Sequence, residues 1–213
     1  CALPILKKFD GDEIRELTPQ EIKQVAGRAG RIGIYDVGYV ASVSGNAEII
    51  KSKLEKEDKR IEAAVIGPSE AILQIKSLPL NEKLALWSTR EEKLDYYTKM
   101  DISEYILILD KLKRYKLSEE IQWDLLKVPF DVARDDLMET FLNYVDEIFV
   151  NKQKELFKPE CYSGYLEELE IYYQKINMYY SFSKIFNLKF DIDWVYDERI
   201  KVSEEINEIL VRI

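Results

Sequence analysis

The residues best suited to chemistry in this chain are gathered in one stretch, Gln24-Val25-Ala26-Gly27-Arg28-Ala29-Gly30-Arg31. On a helix, Gln24, Arg28 and Arg31 stand at i, i+4 and i+7 and share one face. Ile22, Ala26 and Ala29 form a separate apolar stripe that can pack against a sheet. A guanidinium is a rigid fork of donors matched to the oxygens of a phosphate, and two of them beside an amide describe a surface for a polyphosphate. Gly27 and Gly30 each cost about 1 kcal/mol relative to alanine inside a helix. Their lack of a side chain lets a ligand or another backbone come close, which completes an arginine-finger arrangement.

The elements that must hold this face in place are legible on either side of it. Thr18-Pro19-Gln20-Glu21 starts the helix: Thr18 caps, Pro19 suits the first helical position, and Glu21 closes a capping box. The spacing predicts a helix from there to about Gly30. Gly38-Tyr39-Val40-Ala41-Ser42-Val43 reads as a short strand ended by the Ser44-Gly45-Asn46 turn signal. Helix followed by strand gives an α/β unit, and most of the eight glycines lie at or before Gly45.

Ala47 to Arg60 is a charged amphipathic helix, and Gly67-Pro68 breaks the chain before a helix that Ser69 can cap. Beyond that point the expectation is helical throughout, punctuated by Leu78-Pro79 and Val128-Pro129. Asp101-Ile102-Ser103 opens a helix carrying Ile106, Leu109 and Leu112. Leu137, Phe141, Tyr144, Val145 and Ile148 follow helical spacing, as do Leu166, Leu169, Tyr173, Ile176 and Tyr180 after a joint at Lys158-Pro159. Ile206, Ile209, Leu210 and Ile213 finish on another. The fold class expected is α/β followed by all-α, divided at 1–45, 46–157 and 158–213.

Composition narrows what such a chain can do. Hydrophobic residues make up 46% and charged residues 33%, a globular profile. A net charge of −9 supplies no global field for a polyanion, so nucleic-acid contact must be local. Two cysteines, Cys1 and Cys161, and no histidine exclude a His-based triad and a Cys/His zinc site within this sequence, and no metal-ligand set is expected. No apolar run reaches the roughly 18 to 20 residues that cross a bilayer. Free thiols suit a reducing compartment, and the default expectation is cytoplasmic. A start at Cys1 rather than Met leads us to expect a piece of a longer protein.

Gln24 to Arg31 resembles motif VI of superfamily-two helicases, the Q-x-x-G-R-x-G-R element between two RecA-like domains. The flanks resemble the mitochondrial-degradosome, Suv-three type of RNA helicase and its bacterial relatives. They are Lys8-Phe9-Asp10-Gly11, Leu17-Thr18 and Glu21-Ile22-Lys23 before the motif, and Gly38-Tyr39-Val40, Ile66-Gly67-Pro68-Ser69, Gln74 and Leu78-Pro79 after it. A leucine-rich helix near Leu166 to Tyr180 follows in order. The resemblance implies that residues 1–45 are the back part of a second RecA-like domain and that helical domains line an RNA path. It implies that Gln24, Gly27 and Gly30 face ATP, that Arg28 meets the γ-phosphate, and that Arg31 is the finger. ATP and Mg²⁺ would be held mainly by the first RecA-like domain. RNA and that domain would be the partners, with an exoribonuclease as a further one and no membrane.

The chain departs from the family in having no G-x-x-x-x-G-K-[ST] phosphate loop and no DExH-like acidic box. This stretch alone is therefore expected to be inactive. A DNA helicase of the same superfamily and a non-catalytic helical module that binds RNA or protein remain open as alternatives. Lys111, Lys113, Arg114 and Lys116 read as a solvated helix face. Tyr172-Tyr173, Tyr179-Tyr180 and the three tryptophans read as core rather than base platforms.

Overall fold

The computed structural model describes residues 2–3, 6–9, 14–28, 37–42, 47–58, 63–90 and 95–212. The chain divides into two compact units, Cys1–Glu62 and Ala63–Ile213.

In the first unit, strand β1 (Ala2–Leu3) pairs in parallel with β4 (Ala41–Ser42), while β2 (Lys7–Phe9) and β3 (Ile14–Glu16) form an antiparallel pair. Helix α1 (Pro19–Ala26) opens with the anticipated capping box: Thr18 Oγ1 accepts from Glu21 N at 3.3 Å, and Glu21 Oε2 accepts from Thr18 N at 2.7 Å. Helix α2 (Ala47–Glu55) packs on α1, with Ile22 and Ile50 buried between them and Leu6, Leu17, Val25, Val40 and Leu54 around the margin. The α1 helix ends at Ala26 rather than Gly30, with Gly27 as its C-cap. The strand expected over 38–43 is paired only at Ala41–Ser42.

The second unit is mostly helical, and the all-α expectation needs one correction. Strands β5 (Ala64–Ile66) and β6 (Tyr97–Lys99) form a parallel two-stranded pair. Three residues are too few to show a period of two, so β-branched and aromatic composition was the sole signal. Between them lie a 3₁₀ turn (Glu70–Gln74), where Ser69 makes no side-chain cap, and α3 (Leu80–Thr89).

Helices α4 (Ser103–Leu112), α5 (Glu119–Leu125) and α6 (Asp135–Val145) follow, and α6 runs on into a π-turn at Asp146–Val150. An extended segment then leads to the long hairpin of α7 (Leu166–Ile185) and α8 (Ile192–Arg212). Asn187 takes the left-handed conformation, φ 51°, that ends α7. Leu188 N donates to Ser183 O at 2.9 Å and Asn187 N to Lys184 O at 3.3 Å, the paired bonds of a Schellman ending.

One continuous core runs through this unit from Ile72 to Val202. Phe182 is its hub, wholly buried and in ring contact with Phe141, Tyr144 and Phe186. Tyr172 and Tyr179 are buried, Tyr173 and Tyr180 pack against the same core, and Trp123 is buried within it. Leu210 departs from its expected stripe and is 49% exposed. No described helix is long and apolar enough to cross a membrane.

Candidate functional site

The motif lies on α1 and the turn that follows it. Ile22 and Ala26 point into the first unit, while Gln24, Gly27 and Arg28 are exposed. Gln24 and Arg28 are thus left on open surface by the same packing that buries the stripe between them. Gly30 and Arg31 lie outside the described residues, as does Ala29.

Several charged contacts hold α1 in place. Arg15 forms a two-pronged pair with Glu21, at 3.0 Å from Nη1 to Oε2 and 2.9 Å from Nη2 to Oε1. Lys23 Nζ donates to Asp58 Oδ1 at 2.9 Å and to Lys56 O at 2.5 Å, tying the helix to the chain beyond α2. Lys53 of α2 reaches Glu16 at 3.0 Å and Leu17 O at 2.7 Å; its hydrogen bond and charge hold the Glu16 carboxyl below the usual range. The helix is therefore braced at its start, its middle and its neighbour.

Gly27 has an ordinary right-handed backbone, φ −60° and ψ −16°. A Cβ placed on it would meet Lys23 O at 3.1 Å and Gln24 O at 3.8 Å, both belonging to its own preceding turn. The backbone conformation does not call for glycine there, and the one tight neighbour is the Lys23 carbonyl of the same helical turn. The bare backbone remains available to something outside the unit.

The basic cluster behaves as a solvated face where it is engaged at all. Lys113 pairs with Asp110 at 2.7 Å, and Arg114 lies over the Tyr115 ring with Asp146 at 3.6 Å. Among the described residues no group of three or more Asp, Glu, His or Cys is placed to hold a metal ion.

Two features went unnoticed in the sequence. Lys83 is fully buried on α3, its Nζ 2.5 Å from Glu119 Oε2 at the start of α5. Phe157 and Tyr162, on the segment before α7, are 67% and 84% exposed and line one groove. Their signal was present: both aromatics fall outside every helical stripe, next to Lys158-Pro159.

Comparison with known proteins finds a family match at the C-terminal helical hairpin. Residues 166–212, which are the α7–α8 hairpin, match the family described as the ATP-dependent RNA helicase SUV3 C-terminal domain. The chain accordingly resembles the C-terminal portion of superfamily-two RNA helicases of the SUV3 type.

Two relatives make the likeness more particular. The ATP-dependent RNA helicase SUV3, mitochondrial, of Oryza sativa subsp. japonica is 43% identical over 74 residues, which is 34% of this chain and 13% of that protein. The DExH-box ATP-dependent RNA helicase DExH16, mitochondrial, of Arabidopsis thaliana is 37% identical over 70 residues, 32% of this chain and 12% of that protein. The matches thus span a small part of either relative. Both are named as mitochondrial proteins, which overturns the cytoplasmic expectation. That expectation was a default drawn from reduced cysteines and from no localising signal in the residues.

Proposed function

We propose that this chain is the C-terminal part of an ATP-dependent RNA helicase, in which α1 and the turn after it present Gln24, Arg28 and Arg31 to ATP bound by a first RecA-like domain. In this reading residues 1–45 are the back of the second RecA-like domain, 46–157 a helical region following it, and 158–213 the C-terminal helical domain. The mitochondrial names of both relatives favour a mitochondrial location, and the degradosome-type resemblance of the sequence favours RNA turnover as the setting, with an exoribonuclease as a partner.

The observation that carries the reading is the surface at the end of α1. A helix braced by a capping box and three sets of charged contacts leaves Gln24, Gly27 and Arg28 open, and Gly27 has no conformational reason to be glycine. A polyphosphate arriving from another domain could reach the Gly27 backbone without meeting a side chain. Arg28 would then donate to γ-phosphate oxygens, and Arg31 would stabilise the charge that develops as the phosphoryl group transfers.

This chain fits the arginine half of such a site and lacks the phosphate-loop half. Charge neutralisation on the polyphosphate would be supplied by magnesium held with ATP in the first domain. The residues here position and stabilise from the opposite side, and closure of the two domains would couple turnover to stepping along one strand.

The test is Arg31→Ala in the intact protein, measured as RNA-stimulated ATP turnover beside strand displacement on matched RNA and DNA duplexes. Loss of turnover by about 10³-fold or more with unchanged melting is the expected result. Turnover within a fewfold of the parent rejects the finger role. Displacement of the DNA duplex alone would move the assignment to a DNA helicase of the same superfamily.

A further inference from the structure

The second unit carries a groove of about 1320 Å³ that lies far along the chain from the motif-bearing helix. Its walls come from α6, from α7 and from the extended segment between them, and the connection into α8 also lines it. We propose that this groove binds a short run of single-stranded RNA, with bases stacked on Phe157 and Tyr162 and phosphates held by Lys154, Lys175 and Lys189. The choice of RNA over DNA rests on the helicase reading above; the binding site itself rests on the groove.

The aromatic rings are the first argument. Tyr179, which lines the same groove, is 2% exposed, while the exposed rings of Tyr96, Tyr97, Tyr165 and Tyr196 lie outside its lining. Phe157 and Tyr162 instead stand 67% and 84% exposed on a segment without regular secondary structure. Leaving large rings in water forgoes about 1.5–3 kcal/mol of burial for a side chain such as Phe. Open ring faces beside cations are what a strand of unpaired bases stacks on, whatever its sequence.

Charge is the second argument, and it sets the strength of the effect. Lys154, Lys175 and Lys189 line the groove, and none forms an ion pair with a carboxylate among the described residues. Of the acids on the same lining, Asp191 is engaged by Lys158 at 2.9 Å. Glu147 accepts the Phe157 amide at 3.1 Å, and burial raises its pKa. Glu147, Glu155 and Glu160 are left to oppose three lysines. The lining therefore carries no net charge; the three lysines act as local phosphate contacts, and stacking supplies the larger share of binding.

The stem of the groove is also rigid, which a stacking site requires. Lys158 lies over the Trp194 ring at 4.7 Å while paired to Asp191, so the chain between Phe157 and Tyr162 is clamped to the start of α8. Two rings on an anchored backbone lose little entropy when a ligand arrives.

The experiment uses the 213-residue chain with a fluorescent oligouridylate of about 12 nucleotides and its deoxy counterpart, followed by anisotropy without ATP. Phe157→Ala and Tyr162→Ala should each weaken RNA binding about tenfold at unchanged melting temperature, and Phe157→Tyr and Tyr162→Phe should retain it. The triple change of Lys154, Lys175 and Lys189 to Gln should flatten the salt dependence by about 2 in the log–log slope. Absence of RNA binding by the parent chain overturns the proposal. So does binding that survives the double alanine variant, or loss of binding in the two conservative variants. Because no ATP is present, an Arg31→Ala result that rejects the motor reading leaves this test standing, and the reverse also holds. Equal binding of the deoxy strand keeps the groove and removes the preference for RNA.

Discussion

The two units of this chain are stabilised by different means. In Cys1–Glu62, the described core is Ile22 against Ile50 with a partly buried margin, and the strands pair over two or three residues. Caps and ion pairs carry much of the remaining definition. In Ala63–Ile213, a continuous aliphatic and aromatic core spans α3 to α8, and several residues in it are wholly shielded from solvent. The unit that carries the clearest chemical signature is the one with the smaller core. The unit with the larger core has no comparable motif and was matched through its helical hairpin.

That contrast makes physical sense if the first unit is part of a larger sheet. Parallel strands are stable when helices or further strands cover them, and a two-residue parallel pair is marginal by itself. The proposed second RecA-like domain would supply such cover. The helical unit needs none, since one long hairpin and the helices before it enclose a core of their own.

The sharpest way to break the contrast is a pair of core truncations. Phe182→Ala removes the ring at the centre of three aromatic contacts and should lower stability by about 4 kcal/mol. Ile22→Ala should cost about 2 kcal/mol, because its small surroundings can collapse around the smaller side chain. Chemical denaturation of each variant measures both. Equal losses would mean that the first unit is packed as tightly as the second and that the contrast is wrong.

Much of this was legible in the sequence, for identifiable reasons. Thr18 and Glu21 fix a helix start because their spacing admits one reciprocal pair of bonds. Leu109, Leu112, Leu137, Phe141, Leu169 and Ile176 repeat at helical spacing over long windows, and all are buried. The early end of α1 at Ala26 was not legible, since Gly27 keeps a helical backbone and marks no break.

The β5·β6 pair was missed because three residues cannot display alternation, and pairing across some thirty residues leaves no local trace. The stretch from Gln24 to Arg31 was readable as residues and spacing, and of its charged members the described structure places Arg28 on the surface, while Gly30 and Arg31 lie outside it. Phe157 and Tyr162 fall outside every helical stripe and could have been noticed, but the groove they line was not legible, since its walls come from segments apart in the chain.

Lys83 offers a smaller test inside the larger core. Its side chain is fully buried, and Glu119, its partner at 2.5 Å, keeps a third of its surface in solvent. Lys83→Ala leaves Glu119 without its counter-charge and creates a cavity. The loss should be about 2 kcal/mol, less than the range for two fully buried charges because Glu119 can turn to water. Lys83→Met keeps the volume and should stay within about 1 kcal/mol of the parent. Urea midpoints at constant slope give the comparison, and a methionine variant as unstable as the alanine one would show that charge, not packing, holds α3 to α5.

The smallest effect belongs to the first unit and tests whether caps stand in for core there. Thr18→Ala removes the hydroxyl that accepts from Glu21 N at 3.3 Å, a long bond. The reciprocal bond from Thr18 N to Glu21 Oε2 at 2.7 Å uses the backbone and survives. The expected loss is therefore about 0.5 kcal/mol, the low end for an N-cap. Glu21→Ala removes the shorter bond and the fork to Arg15 together, and should cost about 1 kcal/mol. Amide exchange at Ile22 and Lys23 reads both variants locally. If Thr18→Ala opens the helix further than Glu21→Ala does, the carboxylate is not the principal brace of α1, and the surface that presents Gln24 and Arg28 is held by something other than its charged contacts.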